Sequence, residues 1–393
     1  MKNTTKLHLI AFITGLYFYT PIITLYLLGH DVTLASIIVA QSMYTIAVFL
    51  CEYPTGILAD MYGQRASLIF GYLFEGLGIA MLFFMPNTVG LFVSYILRGL
   101  AGSFMSGSDQ ALLFESAKVE GKSYQKEYAK FLSYDKLAFA FSTFATGIIV
   151  QFFHESSYNF LILLSALCFF VTGFLAKTLK NYTAEIRDPS EGSQALSILK
   201  QSIDLIWNNK TIFMLMVCIV LTHSGQYFLL EVYQPYFQSA HVPVIFLGWS
   251  LTIASLLNVF VLKYSHLLEK YFTLGKVLWL INGVQGIAYI LMAVFVHPIF
   301  TLGIFIFLQG VMNAELPVVS DYINHHTSSG IRSSVLSGVS FIKNLFKTIC
   351  YFILAALIAH TGISTTLFIQ GVYLFIGATI SYLVLRNCNC TEK

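Results

Sequence analysis

The chain has 393 residues, 57% of them hydrophobic and 10% charged, with a mean hydropathy of +0.74. Soluble domains carry about 25% charged residues, so that class is excluded, and a net charge of +3 is too small to argue for a nucleic-acid partner. Apolar stretches of roughly 20 residues recur along the whole length, the mark of a polytopic membrane protein.

Twelve spans are predicted, at Leu7–Leu28, Thr33–Thr55, Ala66–Met85, Val89–Ala117, Ala129–Phe153, Tyr158–Leu179, Thr211–Phe237, Val244–Leu262, Thr273–Val296, Ile299–Tyr322, Ser333–His360 and Ile363–Arg386. The first run has no small-residue cleavage site and is too long for a signal peptide, so it is read as a retained helix. Basic residues outside the spans sort to one face: Lys2, Lys6, Arg65, Lys118 to Lys130, Lys177 to Lys210, Lys263 to Lys276, Arg332, Arg386 and Lys393. Connections around His30, Asn87, His154, His241, His297 and His360 carry no Lys or Arg. The positive-inside rule then puts both termini and the middle connection in the cytoplasm of a cell whose inner membrane the chain crosses.

Lys180 to Lys210 is the long polar segment, and Leu196, Leu199, Ile203 and Ile206 recur in it at helical spacing. An amphipathic helix at the inner membrane surface is expected there. It divides the chain into an N-terminal bundle (1–180), a linker (181–210) and a C-terminal bundle (211–393). The halves read as a parallel repeat. Tyr19-Thr20-Pro21 corresponds to Tyr233-Gln234-Pro235, Asp60 to Glu269, Asp109 and Glu115 to Glu315 and Asp321, and Lys136 to Lys343, at offsets between 206 and 214 residues.

One turn carries the densest signal, Glu52-Tyr53-Pro54-Thr55-Gly56-Ile57-Leu58-Ala59-Asp60-Met61-Tyr62-Gly63-Gln64-Arg65. It reads as a short loop between two spans, with Gly56 allowing close approach to a neighbouring helix and Gly63 a sharp reversal. The stretch resembles the loop 2/3 motif G-x-L-A-D-x-x-G-x-R of the major facilitator superfamily, with Met61 where an Arg is usual. Glu52, Pro54, Thr55 and Gly56 also match the E-x-P-T-G of a bacterial subgroup. Glu315-Leu316-Pro317, Asp321 to Asn324 and Arg332 to Ser337 are similar to that subgroup's helix 10 to helix 11 passage.

The resemblance implies an all-α membrane protein, twelve transmembrane helices in two pseudo-symmetric six-helix bundles. It implies a gate of Gly56, Asp60, Gly63, Arg65, Glu115 and Arg332, with Asp60 near the start of helix 11 and Arg65 paired with Glu115. Intramembrane charges are costly and mark function, so Arg98, Asp109, Glu231 and Glu315 are the candidates for proton coupling. On one continuous helix Arg98 and Asp109 share a face about 16 Å apart. Arg98-Gly99-Leu100-Ala101-Gly102 partly matches the family's R-x-x-Q-G, and a structural clamp on carbonyls is the plainer reading of Arg98. Glu75 is given a pairing role inside its bundle.

Lys136, His223, Lys343 and Lys347 are assigned to a substrate cavity. Snorkelling, or pairing with Asp135, Glu315 or Asp321, is the alternative. No cofactor and no metal is expected, since the ten His are dispersed. Cys388 and Cys390 read as ordinary reduced thiols, with a lipidated or metal-binding tail as the alternative. No catalytic cluster marks an enzyme. The chain reads as a monomeric proton-coupled secondary transporter in the lipid bilayer, exporting a small amphipathic or antimicrobial compound by antiport. The alternatives are uptake or export of an anionic metabolite, and a transport-dead sensor or scaffold. Helix 5 lacks the G-x-x-x-G-P run of drug–proton antiporters and helix 1 has no acid, which weakens efflux.

Overall fold

A computed structural model of the chain describes residues 2–181, 213, 228–264, 272–312, 314 and 332–387; for Tyr53, Asp60, 332–341 and 387 it describes the backbone alone. The predicted linker helix, His223, Glu269, Glu315, Asp321, Cys388 and Cys390 lie outside the described residues. Among those described there is no strand. The helices are α1 (Asn3–Thr14), α2 (Ile23–Leu28), α3 (Leu34–Tyr62), α4 (Gln64–Phe84), α5 (Thr88–Met105), α6 (Ser108–Val119), α7 (Tyr124–Phe153), α8 (Tyr158–Ala176), α9 (Phe228–Ser239), α10 (Phe246–Tyr264), α11 (Leu274–Val294), α12 (Pro298–Gly310) and α13 (Arg332–Asn387).

Seven helical stretches among the described residues are long and apolar enough to cross a bilayer. Two of them hold two predicted spans each, Tyr124–Ala176 across a 3-10 turn and Ile342–Arg386 across Gly362 at φ 79°. Their outward faces are apolar. On α8, Phe160, Leu163, Leu167, Val171 and Phe174 are exposed while Leu161, Ile162, Ser165, Phe169 and Thr172 are buried. An apolar stripe of that size fits a face turned to lipid.

Three expectations about local structure are corrected. The first span is not one helix: between α1 and α2, Gly15 to Ile22 is wound into turns. Pro21 has no N–H to give to a helix, and the residue before a proline is biased away from helical backbone. The freed groups find side chains instead. Tyr19 N–H donates to Ser165 Oγ on α8 at 3.2 Å, and Phe18 C=O accepts from Thr146 Oγ1 on α7 at 2.8 Å. Unwound backbone at bilayer depth survives only where protein satisfies it in this way.

The expected loop after the second span is helical. α3 runs through Pro54 to Tyr62, and the whole reversal falls on Gly63, at φ 86° and ψ 156°. Gly56 makes no close approach either, because a Cβ there would meet no described atom within 4 Å.

The fourth span breaks at Gly107, whose φ of 74° ends α5 and starts α6. Two carbonyls near that end are met from neighbouring helices. Ser103 O accepts from Thr55 Oγ1 at 3.2 Å, and Phe104 O from Ser67 Oγ at 2.6 Å. Arg98 and Asp109 therefore do not lie on one continuous helix face.

The chain sorts into two compact units, Met1–Pro189 with Val244–Thr252, and Ser190–Pro243 with Ile253–Lys393. In the first unit, Leu7, Ile10, Ile22, Tyr72, Ile79, Tyr95 and Phe169 belong to one buried cluster. Within that unit Thr143 Oγ1 and Thr252 Oγ1 are 2.8 Å apart. In the second, Tyr233 stacks on Phe305 while Phe237 meets both rings edge-on, and Val277, Ile281 and Ala314 form a further small core. The repeat is uneven: Pro235 sits inside a helix, whereas its counterpart Pro21 sits in turns.

Candidate functional site

In the first unit the site is built on α4. Gly78 leaves a groove in that helix, where a Cβ would stand 2.5 Å from Arg98 Cγ, so the stem of Arg98 lies along it. Glu75, nearly one turn earlier, is 3% exposed. Arg98 Nε donates to Glu75 Oε1 at 2.9 Å. The guanidinium carbon also lies 5.2 Å from the Tyr95 ring centre on α5 and 5.6 Å from that of Tyr19, in the unwound stretch between α1 and α2. Tyr17, in the same stretch, packs on Tyr19 and on Phe169 of α8.

Burying two charges costs several kcal/mol per ion even when they pair. A planar, always charged guanidinium between a carboxylate and two ring faces has partners on several sides. The expected pairing role of Glu75 is thus filled by Arg98, whose guanidinium holds a carboxylate rather than carbonyls. The sequence hid this because the two residues, on α4 and α5, are 23 positions apart; Gly78, placed to admit the Arg98 stem, was the available signal.

The other coupling candidates are placed apart. Asp109 is in the first turn of α6, half-buried, with the Gln110 N–H donating to its Oδ1 at 2.7 Å. Glu231 is buried in the first turn of α9 and interacts electrostatically with Lys347. Lys343 and Lys347 are half-buried one turn apart on α13, and Lys347 Nζ lies 5.5 Å from the Tyr351 ring centre. Lys136 is exposed and lies 3.4 Å from Asp135, the pairing anticipated as the alternative to a cavity role. His223 and Glu315 fall outside the described residues.

At the predicted gate, Arg65 is bonded to the segment that follows α8 rather than to Glu115. Its Nη1 donates to Leu179 O at 3.3 Å and its N–H to Asn181 Oδ1 at 3.5 Å, and the expected ion pair is not made. Glu115 instead lines a cavity of about 290 Å³ with Gln64, Gln110, Leu112, Phe114 and Tyr124. Asp60 lies in the last turn of α3 and Arg332 opens α13; their side chains are outside the description. Sequence reasoning missed Tyr95, which packs on Arg98, and Ser67 and Asn258, which bond to other helices, and it named Tyr19 and Thr55 only as repeat and motif positions.

Apolar bilayer-length helices around an ion pair and a broken helix define a polytopic membrane protein. A family model described as Major Facilitator Superfamily matches residues 7–275, and the chain belongs to that superfamily. It is 20% identical over 369 residues, covering 91% of this chain and 89% of the other, to the uncharacterized MFS-type transporter YxaM of Bacillus subtilis (strain 168). Crystal structures of the nucleoside transporter NupG are similar in fold, with a TM-score of 0.79 at 16% identity over 98% of this chain and 100% of that one. A D-xylose-proton symporter reaches a TM-score of 0.69 at 15% identity, over 97% of each chain. The fold is the all-α major facilitator fold, twelve transmembrane helices in two pseudo-symmetric six-helix bundles. Membership makes the chain a multi-pass membrane protein of a secondary-transporter family.

Proposed function

We propose that this chain is a proton-coupled secondary active transporter that moves a small molecule by alternating access. The carrying observation is the Glu75–Arg98 pair, a titratable carboxylate held 2.9 Å from a cation inside the first unit. Charges at bilayer depth are expensive, and in a transporter they mark the path of substrate or ion. In this reading the two six-helix bundles, 1–180 and 211–393, move against each other as one monomer of the inner membrane, with both termini cytoplasmic. Gly56, Asp60, Gly63, Arg65, Glu115 and Arg332 belong to the inner gate.

Export of a small amphipathic compound is the first reading of cargo and direction, by analogy with the superfamily alone. A second reading, a metabolite bearing a carboxylate or phosphate, is favoured by half-buried Lys343 and Lys347 on one helix face.

The test uses the full chain in liposomes loaded with a pH-sensitive dye, challenged with a panel of amphipathic drugs and organic anions. Compound-stimulated proton movement that empty liposomes lack is the expected result. Flux that persists unchanged when a protonophore collapses the pH gradient would overturn proton coupling. Susceptibility of a deletion strain to the same panel separates export from uptake.

A further inference from the structure

The ion pair has a counterpart in the second unit, and the counterpart is uncharged. Glu75-Gly76 on α4 and Arg98-Gly99 on α5 are followed, 210 and 211 residues later, by Gln285-Gly286 on α11 and Gln309-Gly310 on α12. The glycines show that the positions match in space as well as in order. A Cβ on Gly76 would stand 3.3 Å from Ala166 O on α8, and one on Gly286 would stand 2.8 Å from Gly371 O on α13. Gly99 faces Ala47 and Tyr44 on α3, while Gly310 faces Leu257 on α10. Each unit therefore sets the same two residues at the same two helix contacts. Gln285 and Gln309 are buried as well, and Gln285 Nε2 has no acceptor among the described residues.

The second unit shows that this position packs with neutral amides. The fold does not require charge there, so the charge in the first unit serves something an amide cannot do. An amide side chain hydrogen-bonds but does not gain or lose a proton near neutral pH.

We propose that Glu75 is the group that binds the transported proton, and that Arg98 must leave it first, held meanwhile by the faces of Tyr19 and Tyr95 over which it already lies. Those surfaces are in place, since both ring centres lie within the roughly 6 Å over which a cation is attracted to a ring. When the guanidinium turns, a hydronium ion gives one proton to the Glu75 carboxylate. An O–H bond forms on Glu75, one O–H bond of the hydronium breaks, and water leaves. Arg98 stays protonated throughout, so the site passes from a neutral pair to a single positive charge shared with the rings. Release reverses the step as Arg98 returns.

The groups facing Glu75 from each neighbour fit this role. The unwound stretch contributes Tyr17 and Tyr19, and α5 contributes Tyr95 and Arg98. Asp135 on α7 and Glu75 both act electrostatically on Tyr17. α8 brings no charged side chain, and Tyr72 on α4 itself feels Asp109 of α6. No second carboxylate is paired with Arg98 among the described residues.

This inference rests on the proton-coupled reading, and infrared difference spectroscopy tests it without a substrate. Full-length protein in liposomes is compared between alkaline and acid pH. The carbonyl stretch of a protonated buried carboxyl should appear on acidification in wild type, Asp109→Asn and Glu231→Gln. It should be absent in Glu75→Gln/Arg98→Gln, which copies the amide pair of the second unit and avoids stranding a buried guanidinium. Glu75→Asp keeps a carboxyl and should move the band rather than remove it. A band retained in the double glutamine variant, or identical in Glu75→Asp and wild type, overturns the assignment and leaves proton coupling to another acid. No band in wild type overturns it too, while the dye-loaded liposome assay reports on proton coupling itself.

Discussion

Asn258 closes the open end of α12 at Gly310: its Nδ2 donates to Gly310 O at 3.0 Å and to Met312 O at 2.8 Å. A helix end leaves carbonyls unmatched, and hydrocarbon offers them no water. One carboxamide on α10 thus holds two of them with its two hydrogens. Asn258→Leu keeps most of the volume and removes both donors. Leaving a buried polar group unmatched costs about 1–3 kcal/mol, so a loss of about 2–4 kcal/mol is expected. The check is the thermal midpoint in detergent, and an unchanged midpoint would mean that α12 ends on other donors.

Gly63 and Gly56 belong to the same motif but carry different constraints. At φ 86° and ψ 156°, Gly63 occupies a backbone region open essentially to glycine, and a Cβ there would run into the Asn181 side chain. Gly63→Ala should cost about 1–3 kcal/mol. It should also loosen the contact of Asn181 with the Arg65 N–H. Gly56 is inside α3 and faces open space. Replacing a helical glycine by alanine there should gain up to about 1 kcal/mol. Denaturant or thermal unfolding of the two variants side by side decides this, and equal effects would contradict the assignment of backbone strain to Gly63.

What could be read in the sequence and what could not follow from the range of each signal. Span positions and the family motif were legible because hydropathy and charge are local sums. The breaks were not. Leu16, Tyr17, Phe18 and Tyr19 are apolar, so the unwound stretch scores like helix, and Ser165 and Thr146, which satisfy it, lie far along the chain. Gly107 was visible, but nothing local distinguishes a glycine that breaks a helix from one that lets helices pack. Arg98 was read as a charge within a span. Its partner was sought on the same helix, in Asp109, although Glu75 was closer in space. The glutamines matching that pair in the second unit went unread because the repeat was traced through charged residues alone.

Glu120, just beyond α6, ties the start of α1 to the α6–α7 connection. Thr4 donates to it twice, from its N–H at 3.0 Å and from its hydroxyl at 2.7 Å, and Lys122 Nζ stands 2.9 Å away. Burial pushes the carboxyl up, but the Thr4 and Lys122 hydrogen bonds and the Lys122 charge outweigh it and hold the group at about 2. Its folded value is below the ordinary glutamate value of about 4.3. The stabilisation is therefore fully present above about 4.3 and is lost as pH falls from there through about 2. Glu120→Gln should flatten the fall of the thermal midpoint across that acid window. At neutral pH it should lower the midpoint, because the charge-assisted bonds are gone. A variant that tracks wild type at every pH would show that Glu120 does not contribute through its charge.

Glu231 and Lys347 decide between the two readings of the substrate. Glu231 is buried on α9, Lys347 is half-buried on α13, and the acid attracts the ammonium while Lys343, one turn earlier, repels it. If the acid mainly supports the lysine, removing either one strands the other. Glu231→Gln and Lys347→Met should then each destabilise by about 1–3 kcal/mol, below the 3–5 kcal/mol of a fully buried pair because Lys347 is only half-buried. The double variant should recover part of that loss, with a coupling of about 1–2 kcal/mol. Thermal midpoints of the four proteins give the cycle directly. Strict additivity would mean that Lys347 does not depend on Glu231 and is available to a bound anion. In that case Lys347→Met should weaken flux of organic anions in the liposome assay and leave neutral amphipathic compounds untouched. Strong coupling with equal loss for both classes assigns the lysine to the fold and leaves the amphipathic reading standing.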